Sequence, residues 1–376
     1  MKAKKAITVI VALLLVLAAL PSQETSAQGS PAITAVTDKI SVGNTVWFGN
    51  YNNAPVQWRV LGNGNDTEGG NSNSRLFLSV RLLDSTQFNP VGEGNTWQGS
   101  TAQNWCESFY TNALSAGEKA ALVATTKDDP AYGFDFVPAS DKILKDDNVF
   151  FLSVQEVNTP PFTDDISRIA YTLDGTVNDW WLRSPIDKQF AGVITHGGAL
   201  GSAPVTKYST CARPAFNLYL PSVLFTSAAV GGKVSGPLGA GALKGVPETD
   251  TTEWKLTLLD NNRSFSIEWV SLSSKSCTFD YENATTGSNE YISAVIFDYS
   301  NYRIKYYGHL AQPESSSGTL TVDFSALTLT DNDTLFLFSE QYNGDLSFRK
   351  IFRDSRYRFR QSAILCQFSP NKYLMR

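Results

Sequence analysis

Residues 101–124 read Thr101-Ala-Gln-Asn-Trp-Cys-Glu-Ser-Phe-Tyr-Thr-Asn-Ala-Leu-Ser-Ala-Gly-Glu-Lys-Ala-Ala-Leu-Val-Ala124. Trp105, Phe109, Ala113 and Leu114 recur at helical spacing. Ser115-Ala-Gly-Glu118 has the form of a capping box, which predicts a second short helix. On either side the pattern changes to short apolar runs. Thr45-Val-Trp-Phe48, Val56-Gln-Trp-Arg-Val-Leu61 and Leu76-Phe-Leu-Ser-Val80 precede the helices, with a Gly/Asn-rich turn region at 62–73. Val149-Phe-Phe-Leu-Ser-Val154, Trp180-Trp-Leu-Arg-Ser-Pro185, Ala191-Gly-Val-Ile-Thr195 and Ala212-Arg-Pro-Ala-Phe-Asn-Leu218 follow them. These runs predict strands. Strands before and after two helices predict an α+β module rather than repeated βαβ units.

Further on, residues 229–250 are rich in Gly, Ala, Pro and Ser and have little to bury, as a linker would. Beyond them lie Trp254-Lys-Leu-Thr-Leu-Leu259, Phe265-Ser-Ile-Glu-Trp-Val270, Tyr291-Ile-Ser-Ala-Val-Ile-Phe297, Ile304-Lys-Tyr-Tyr307, Gly318-Thr-Leu-Thr-Val-Asp-Phe324 and Thr334-Leu-Phe-Leu-Phe338. Short strands without intervening helices predict an all-β immunoglobulin-like sandwich. The expected organisation is a leader at 1–27, an α+β domain at 40–228, a linker at 229–250, a sandwich at 251–345 and a tail at 346–376.

The leader has the three-part form of a secretory signal peptide. Lys2, Lys4 and Lys5 precede an apolar run from Ala6 to Leu20, and Pro21 and Thr25-Ser26-Ala27 close it. The run is short for a membrane span, which needs about 20 residues. No later apolar stretch is long enough, so no membrane span is expected once the leader is removed. The chain is therefore expected to be secreted or extracellular, and associated with a cell surface. Its four cysteines are widely separated, too few for a disulfide scaffold. They read as buried free thiols, with a Cys106–Cys211 bridge as the alternative.

The chain of 376 residues has formal net charge -5 from 31 basic and 36 acidic residues. The tail holds eight Lys or Arg and one acid, and the leader three Lys and one Glu, which leaves 20 basic against 34 acidic residues over 28–345. An acidic body argues against nucleic acid as a partner, because phosphate must be neutralised by cations. The tail differs: Phe348 to Arg360 is basic and aromatic, and Arg349, Lys350, Arg353, Arg356 and Arg360 could share one side of a helix. It reads as a dangling segment, as a segment adhering to anionic surfaces, or as the product of an altered reading frame.

Several motifs occur in a fixed order. They are Trp47-Phe48-Gly49-Asn50-Tyr51, Pro55-Val56-Gln57-Trp58-Arg59-Val60-Leu61, Trp105-Cys106-Glu107-Ser108-Phe109-Tyr110, Ser115-Ala116-Gly117-Glu118-Lys119, Val149-Phe150-Phe151-Leu152-Ser153, Trp180-Trp181-Leu182-Arg183-Ser184-Pro185 and Arg213-Pro214-Ala215-Phe216-Asn217-Leu218. Over residues 40–222 this set resembles DUF6273, a family of uncharacterised function found in secreted and cell-surface proteins of Firmicutes. Cys211-Ala212 departs from its pattern, where Gly-Val is expected. The layout also resembles, as an analogy of fold alone, the C-type-lectin-like fold of formylglycine-generating enzymes. Tyr306-Tyr307-Gly308, Ser317-Gly318-Thr319 and Phe338 to Asp345 are similar to the β-rich companion domain that often follows. That similarity stops where the basic tail begins.

No catalytic or metal-binding set emerges. The two histidines, His196 and His309, fall in different modules, and no Gly-x-Ser-x-Gly, His-Glu-x-x-His or phosphate-loop pattern is present. Cys106 or Cys211 would be a nucleophile only with His196 beside it. Asp128-Asp129, Asp146-Asp147, Asp164-Asp165 and the Asp331/Asp333 pair read as solvated loop acids; glycoside hydrolysis and Ca2+ binding are the alternatives. No cofactor is expected, with Ca2+ the one candidate.

The candidate ligand-binding residues are Trp181, Arg183, His196 and Arg213. On a strand, alternate residues face opposite sides. With Trp180 in the core, Trp181 and Arg183 would point away from it, where a Trp and an Arg could stack on a sugar ring and donate hydrogen bonds. The competing reading is structural: a Trp plugs the core and Arg183 ties down a carbonyl or carboxylate. Arg213 reads as a hydrogen-bond hub partnered by Asp179 or Asp187, and His196 sits in the turn Thr195-His-Gly-Gly198. The expected function is a secreted or cell-surface binding or structural protein recognising a glycan, a cell-wall polymer or a host-surface polymer. The alternatives are an extracellular enzyme acting on carbohydrate or cell-wall material, and a passive scaffold.

Overall fold

Helical spacing is real in this chain, but sheets dominate it. The computed structural model describes residues 33–34, 40–66, 70–127, 144–229, 238–239, 243–245, 252–260, 263–273, 275–301, 303–341, 358–360 and 366–367. The segment expected to be a signal peptide, Asp128-Asp129, most of 229–250 and the side chains of the basic tail lie outside these residues. Among the described residues strands make up 50% and helices 11%.

The N-terminal half contributes β1 (Ile33–Thr34), β2 (Thr45–Tyr51), β3 (Ala54–Gly64), β4 (Asn71–Ser79), β5 (Arg81–Leu82) and β6 (Asp84–Ser85) before helices α1 (Thr101–Ala113) and α2 (Ala116–Ala120). Then come β7 (Leu122–Val123), β8 (Thr125–Lys127), β9 (Leu144–Asp147), β10 (Phe150–Phe151), the single turn α3 (Val154–Val157) and a 3-10 turn at Ile166–Arg168. β11 (Tyr171–Thr172), β12 (Trp180–Asp187), β13 (Phe190–Ile194), β14 (Leu200–Pro204), β15 (Cys211–Ala212), β16 (Pro214–Tyr219) and β17 (Val223–Ala228) complete it.

The helices form where the sequence predicts them. Ser100 caps α1 by accepting from the Gln103 amide, and Ala102, Cys106, Phe109 and Ala113 form its buried face. Ser115 and Glu118 make the capping box of α2. Phe109 carries α1 onto the sheet: its ring lies 5.9 Å from Trp58, which packs edge-on at 4.5 Å against Phe216. Phe48 and Phe77 complete the cluster around Phe216 at 5.2 and 5.3 Å.

The second half supplies β18 (Lys244–Gly245), β19 (Glu253–Leu259), β20 (Ser266–Leu272), β21 (Ser276–Glu282), β22 (Glu290–Asp298), β23 (Arg303–Ala311), β24 (Gly318–Asp323), β25 (Asp333–Gln341), β26 (Arg358–Arg360) and β27 (Cys366–Gln367). The largest sheet runs β10-β16-β4-β3-β2-β19-β26-β25-β22-β23-β18 and so passes through both halves. β19 is parallel to β2, with Trp254 opposite Val46, and antiparallel to β17. Trp254, Leu256 and Leu258 are buried in the same core as Trp58 and Phe216. A second core lies between the sheet β20-β21-β24 and the β22-β23-β25 face, with Phe265, Phe279 and Val322 meeting Ile292, Ile296 and Leu335.

The fold class expected from the sequence is therefore corrected. The described residues are mainly β rather than an α+β module, and neither an immunoglobulin-like nor a C-type-lectin-like arrangement is shown. The reason is one of scale: the helices have 13, 5 and 4 residues, too little to make a layer against a sheet that continues through both halves. Among the described residues no helix is long and apolar enough to cross a membrane.

Candidate binding surface

Strand β12 lies in the five-stranded sheet β14-β13-β12-β15-β6 and is covered on both faces, so Trp180 through Pro185 are all buried. Trp181 is fully buried; its indole N–H donates to the Thr86 carbonyl at 2.7 Å and its ring packs edge-on to Phe88. Trp180 donates to the Arg168 carbonyl at 3.2 Å. A buried indole needs such a partner for its one donor. Alternation is preserved along the strand, but both sides are interior, so Trp181 offers no face to a ligand.

Arg183 also points inward. It donates through Nη1 to Glu156 Oε2 at 2.7 Å and to the Phe151 carbonyl at 2.8 Å, and through Nη2 to Glu156 Oε1 at 3.2 Å. Glu156 is held by its own turn as well, because it closes the capping box of α3 with Ser153. Lys127 adds a third charge at 3.1 Å. Burial pushes the Glu156 carboxyl up, but Arg183 and Lys127 outweigh it and hold it at about 2. This is a buried ionic clamp joining β12, α3 and β8.

Arg213 is buried against the Trp180 ring, 4.7 Å from its centroid. It donates to the Ser79 carbonyl at 3.1 Å and the Arg168 carbonyl at 3.2 Å. It is a hydrogen-bond hub, but its partners are these carbonyls; Asp179 serves His196 and Lys207 instead. Burial, then the charge of Arg59, lowers its pKa to about 9. His196 lies apart from these three, with its side chain 73% exposed. Its amide donates to Asp179 Oδ1 at 2.8 Å, its Nδ1 lies 3.2 Å from the same oxygen, and Lys207 Nζ donates to Oδ2 at 2.8 Å. Burial works against the Asp179 charge, but these bonds lower its pKa. The structure thus separates the four candidates: three serve the interior and one lies on an exposed turn.

The cysteines and acids take structural places. Cys106, Cys211 and Cys277 are buried. Burial raises the Cys106 and Cys211 thiols, opposite to what a nucleophile needs. Asp147 accepts from Gln103, Trp97 and the Lys145 amide. Asp164 accepts from the Ser167 amide, Asp165 pairs with Arg168, and Asp333 pairs with Lys305. Among the described residues no group of three or more His, Cys, Asp or Glu could hold a metal ion.

The arrangement best suited to a ligand lies elsewhere. Edge strand β6 presents Asp84 to solvent beside two half-buried aromatic residues. Tyr51, at the end of β2, donates its hydroxyl to Asp84 Oδ2 at 2.9 Å, and Trp105, on α1, directs its indole N–H at the same oxygen at 3.4 Å. The two rings lie 5.8 Å apart, and both rest on Phe109 beneath. Burial, then the Asp84 hydrogen bond and charge, push the Tyr51 phenol up to about 12. Asp84 Oδ1 also accepts from the Ser85 amide, which fixes the carboxylate plane. The sequence places Trp105 on a helix by its spacing and singles out neither Tyr51 nor Asp84 as a binding residue. Asp84 is a lone acid after the buried pair Leu82-Leu83, and only the pairing of β6 with β15 brings it into place.

Residues 72–220 match the family model of a domain of unknown function, DUF6273. The match supports the resemblance seen in the motifs over a narrower span, since β2 and β3 fall outside it. No curated protein and no solved structure matches the chain. Within the DUF6273 segment the motif residues are chiefly structural: Trp180, Trp181 and Arg183 fill and clamp β12, and Arg213 ties β15 and β16 to Ser79 and the 3-10 turn. Asp84 and Trp105 belong to the DUF6273 segment, whereas Tyr51 comes from the strand before it.

Proposed function

We propose that the chain is a secreted, cell-surface-associated binding protein and that the patch of Tyr51, Trp105 and Asp84 holds a glycan or cell-wall polymer. The observation that carries this reading is the convergence of the Tyr51 hydroxyl and the Trp105 indole N–H on one exposed carboxylate. Sugars present apolar ring faces and hydroxyl edges. Half-exposed aromatic rings suit the first, and an ionised carboxylate accepts strong hydrogen bonds from the second. The signal-peptide pattern of residues 1–27 supports export. The test is a glycan and cell-wall-polymer array probed with the full mature chain, with and without Ca2+. Saturable binding that is lost in Trp105→Ala and Asp84→Asn, both still folded by circular dichroism, is the expected result. Binding undisturbed by both variants would place the ligand elsewhere and overturn the assignment.

A further inference from the structure

A buried cation without a counter-charge is expensive to maintain, and this fold holds one at Arg213, which is 3% exposed. Its Nε and Nη1 are occupied by the Ser79 and Arg168 carbonyls. Among the described residues its Nη2 has no hydrogen-bond partner, and no carboxylate lies within ion-pair distance. Arg59, on β3, is its neighbour in charge. Its Nη1 donates to the Ser167 carbonyl at 3.4 Å, and its guanidinium lies 5.4 Å from the Phe162 ring centre. It too lacks a carboxylate partner among the described residues. The two guanidiniums therefore reach successive carbonyls, 167 and 168, of one 3-10 turn. Of the two acids that precede that turn, Asp164 accepts from the Ser167 amide at 2.8 Å and Asp165 pairs with Arg168 at 2.7 Å. Burial lowers the pKa of both arginines, and the Arg59 charge adds to the effect on Arg213.

Carbonyl oxygens satisfy donors but do not neutralise charge, and a cation–π contact with Trp180 offsets only part of the cost. We propose that Arg59 and Arg213 form an oxyanion site that takes a phosphate group, either free or carried on a sugar or polyol. Two guanidiniums match an anion of up to two charges, and at neutral pH a phosphate monoester carries close to two negative charges and inorganic phosphate between one and two. The planar donor forks of arginine suit its oxygens. Arg59 is only partly buried and Arg213 is enclosed, so the pair combines one solvent-reachable guanidinium with one buried guanidinium. The site does not depend on the Tyr51–Trp105–Asp84 patch.

Titration calorimetry of the full chain at constant ionic strength tests this, with inorganic phosphate, glucose 6-phosphate and glucose as separate probes. Arg213 variants risk misfolding, so the working variant is Arg59→Gln, verified as folded by its thermal transition. The expected result is saturable binding of at least one phosphate probe, none of glucose, and affinity lower by about tenfold or more in Arg59→Gln. Tighter binding of glucose 6-phosphate than of phosphate would assign the site to a phosphorylated sugar, and equal binding to the free ion. The absence of saturable binding of either phosphate probe, or equal affinity in the wild type and Arg59→Gln, overturns the proposal.

Discussion

Glu156 and Arg183 meet at 2.7 Å with side chains 9% and 2% exposed, and Glu156 caps its own helical turn with the same carboxylate. One acid thus anchors β12, the turn that follows β10, and Lys127 of β8. Glu156→Gln keeps the shape but removes the charge opposite Arg183. Breaking one side of a buried pair leaves the other uncompensated and costs about 3–5 kcal/mol. Urea denaturation of Glu156→Gln against the wild type should show a loss of that size.

The same carboxylate makes stability depend on acid. Its pKa is 4.5 in the unfolded reference and about 2 in the fold. A group whose pKa is depressed by folding contributes fully above its unfolded value, and its contribution is lost as pH falls towards the folded one. The window is therefore from about pH 4.5 down to about 2, and the contribution at neutral pH is roughly 3 kcal/mol. Denaturation midpoints should fall across that window, and less steeply in Glu156→Gln. An unchanged slope in the variant would assign the acid sensitivity to other groups.

Trp181→Ala should destabilise the protein by about 3–5 kcal/mol, because it empties a fully enclosed site and orphans the Thr86 carbonyl. A loss of ligand binding in this variant would report damage to the fold. A folded Trp181→Ala protein of near wild-type stability would contradict the packing described here.

Two glycines should resist substitution for stated reasons. Gly49 has φ of +74°, and a methyl group there would meet Leu114 Cδ2 at 2.7 Å and the Ala113 carbonyl oxygen at 3.2 Å. Gly198 has φ of +86°, and a methyl group would overlap the Asp165 carbonyl. Left-handed backbone costs an alanine about 1 kcal/mol before any overlap. Thermal unfolding should therefore rank Gly198→Ala below Gly49→Ala and both below the wild type.

Asp84→Asn should lower the Tyr51 phenol pKa from about 12 towards 10, since the carboxylate's hydrogen bond and charge help to raise it. Site-resolved NMR titration of tyrosine ring carbons would follow the shift. An unmoved Tyr51 would mean that burial alone accounts for its value.

Local signals in the sequence were legible because they depend on neighbours in the chain. The 105/109/113 spacing and the Ser115–Glu118 box produced α1 and α2, and the strand runs became β2, β3, β4, β12 and β16. Even the Phe-Gly pair has a visible reason: the Gly49 amide donates to Glu118 Oε1 at 2.8 Å, so the capping acid of α2 also fixes β2. What was not legible depends on distant chain. Whether Trp181 faces solvent is decided by a layer containing Phe88 and Thr86, almost a hundred residues earlier. The same holds for Asp84, which becomes interesting only when β2 and α1 deliver Tyr51 and Trp105 to it. The fold class was misjudged for a related reason: counting helices locally says nothing about how far a sheet continues.

The parallel pairing of β2 with β19 bears on how the molecule is made. Thr45 bonds to Thr252, 207 positions further along the chain. Contacts between such distant partners form late, because the intervening loop must close before they stabilise anything. The strand carrying Trp254 leaves the ribosome long after the one carrying Val46, so the first core stays open-edged for most of synthesis. Late arrival of β19 would act as a built-in timer, deferring completion of the N-terminal core until most of the chain has been made.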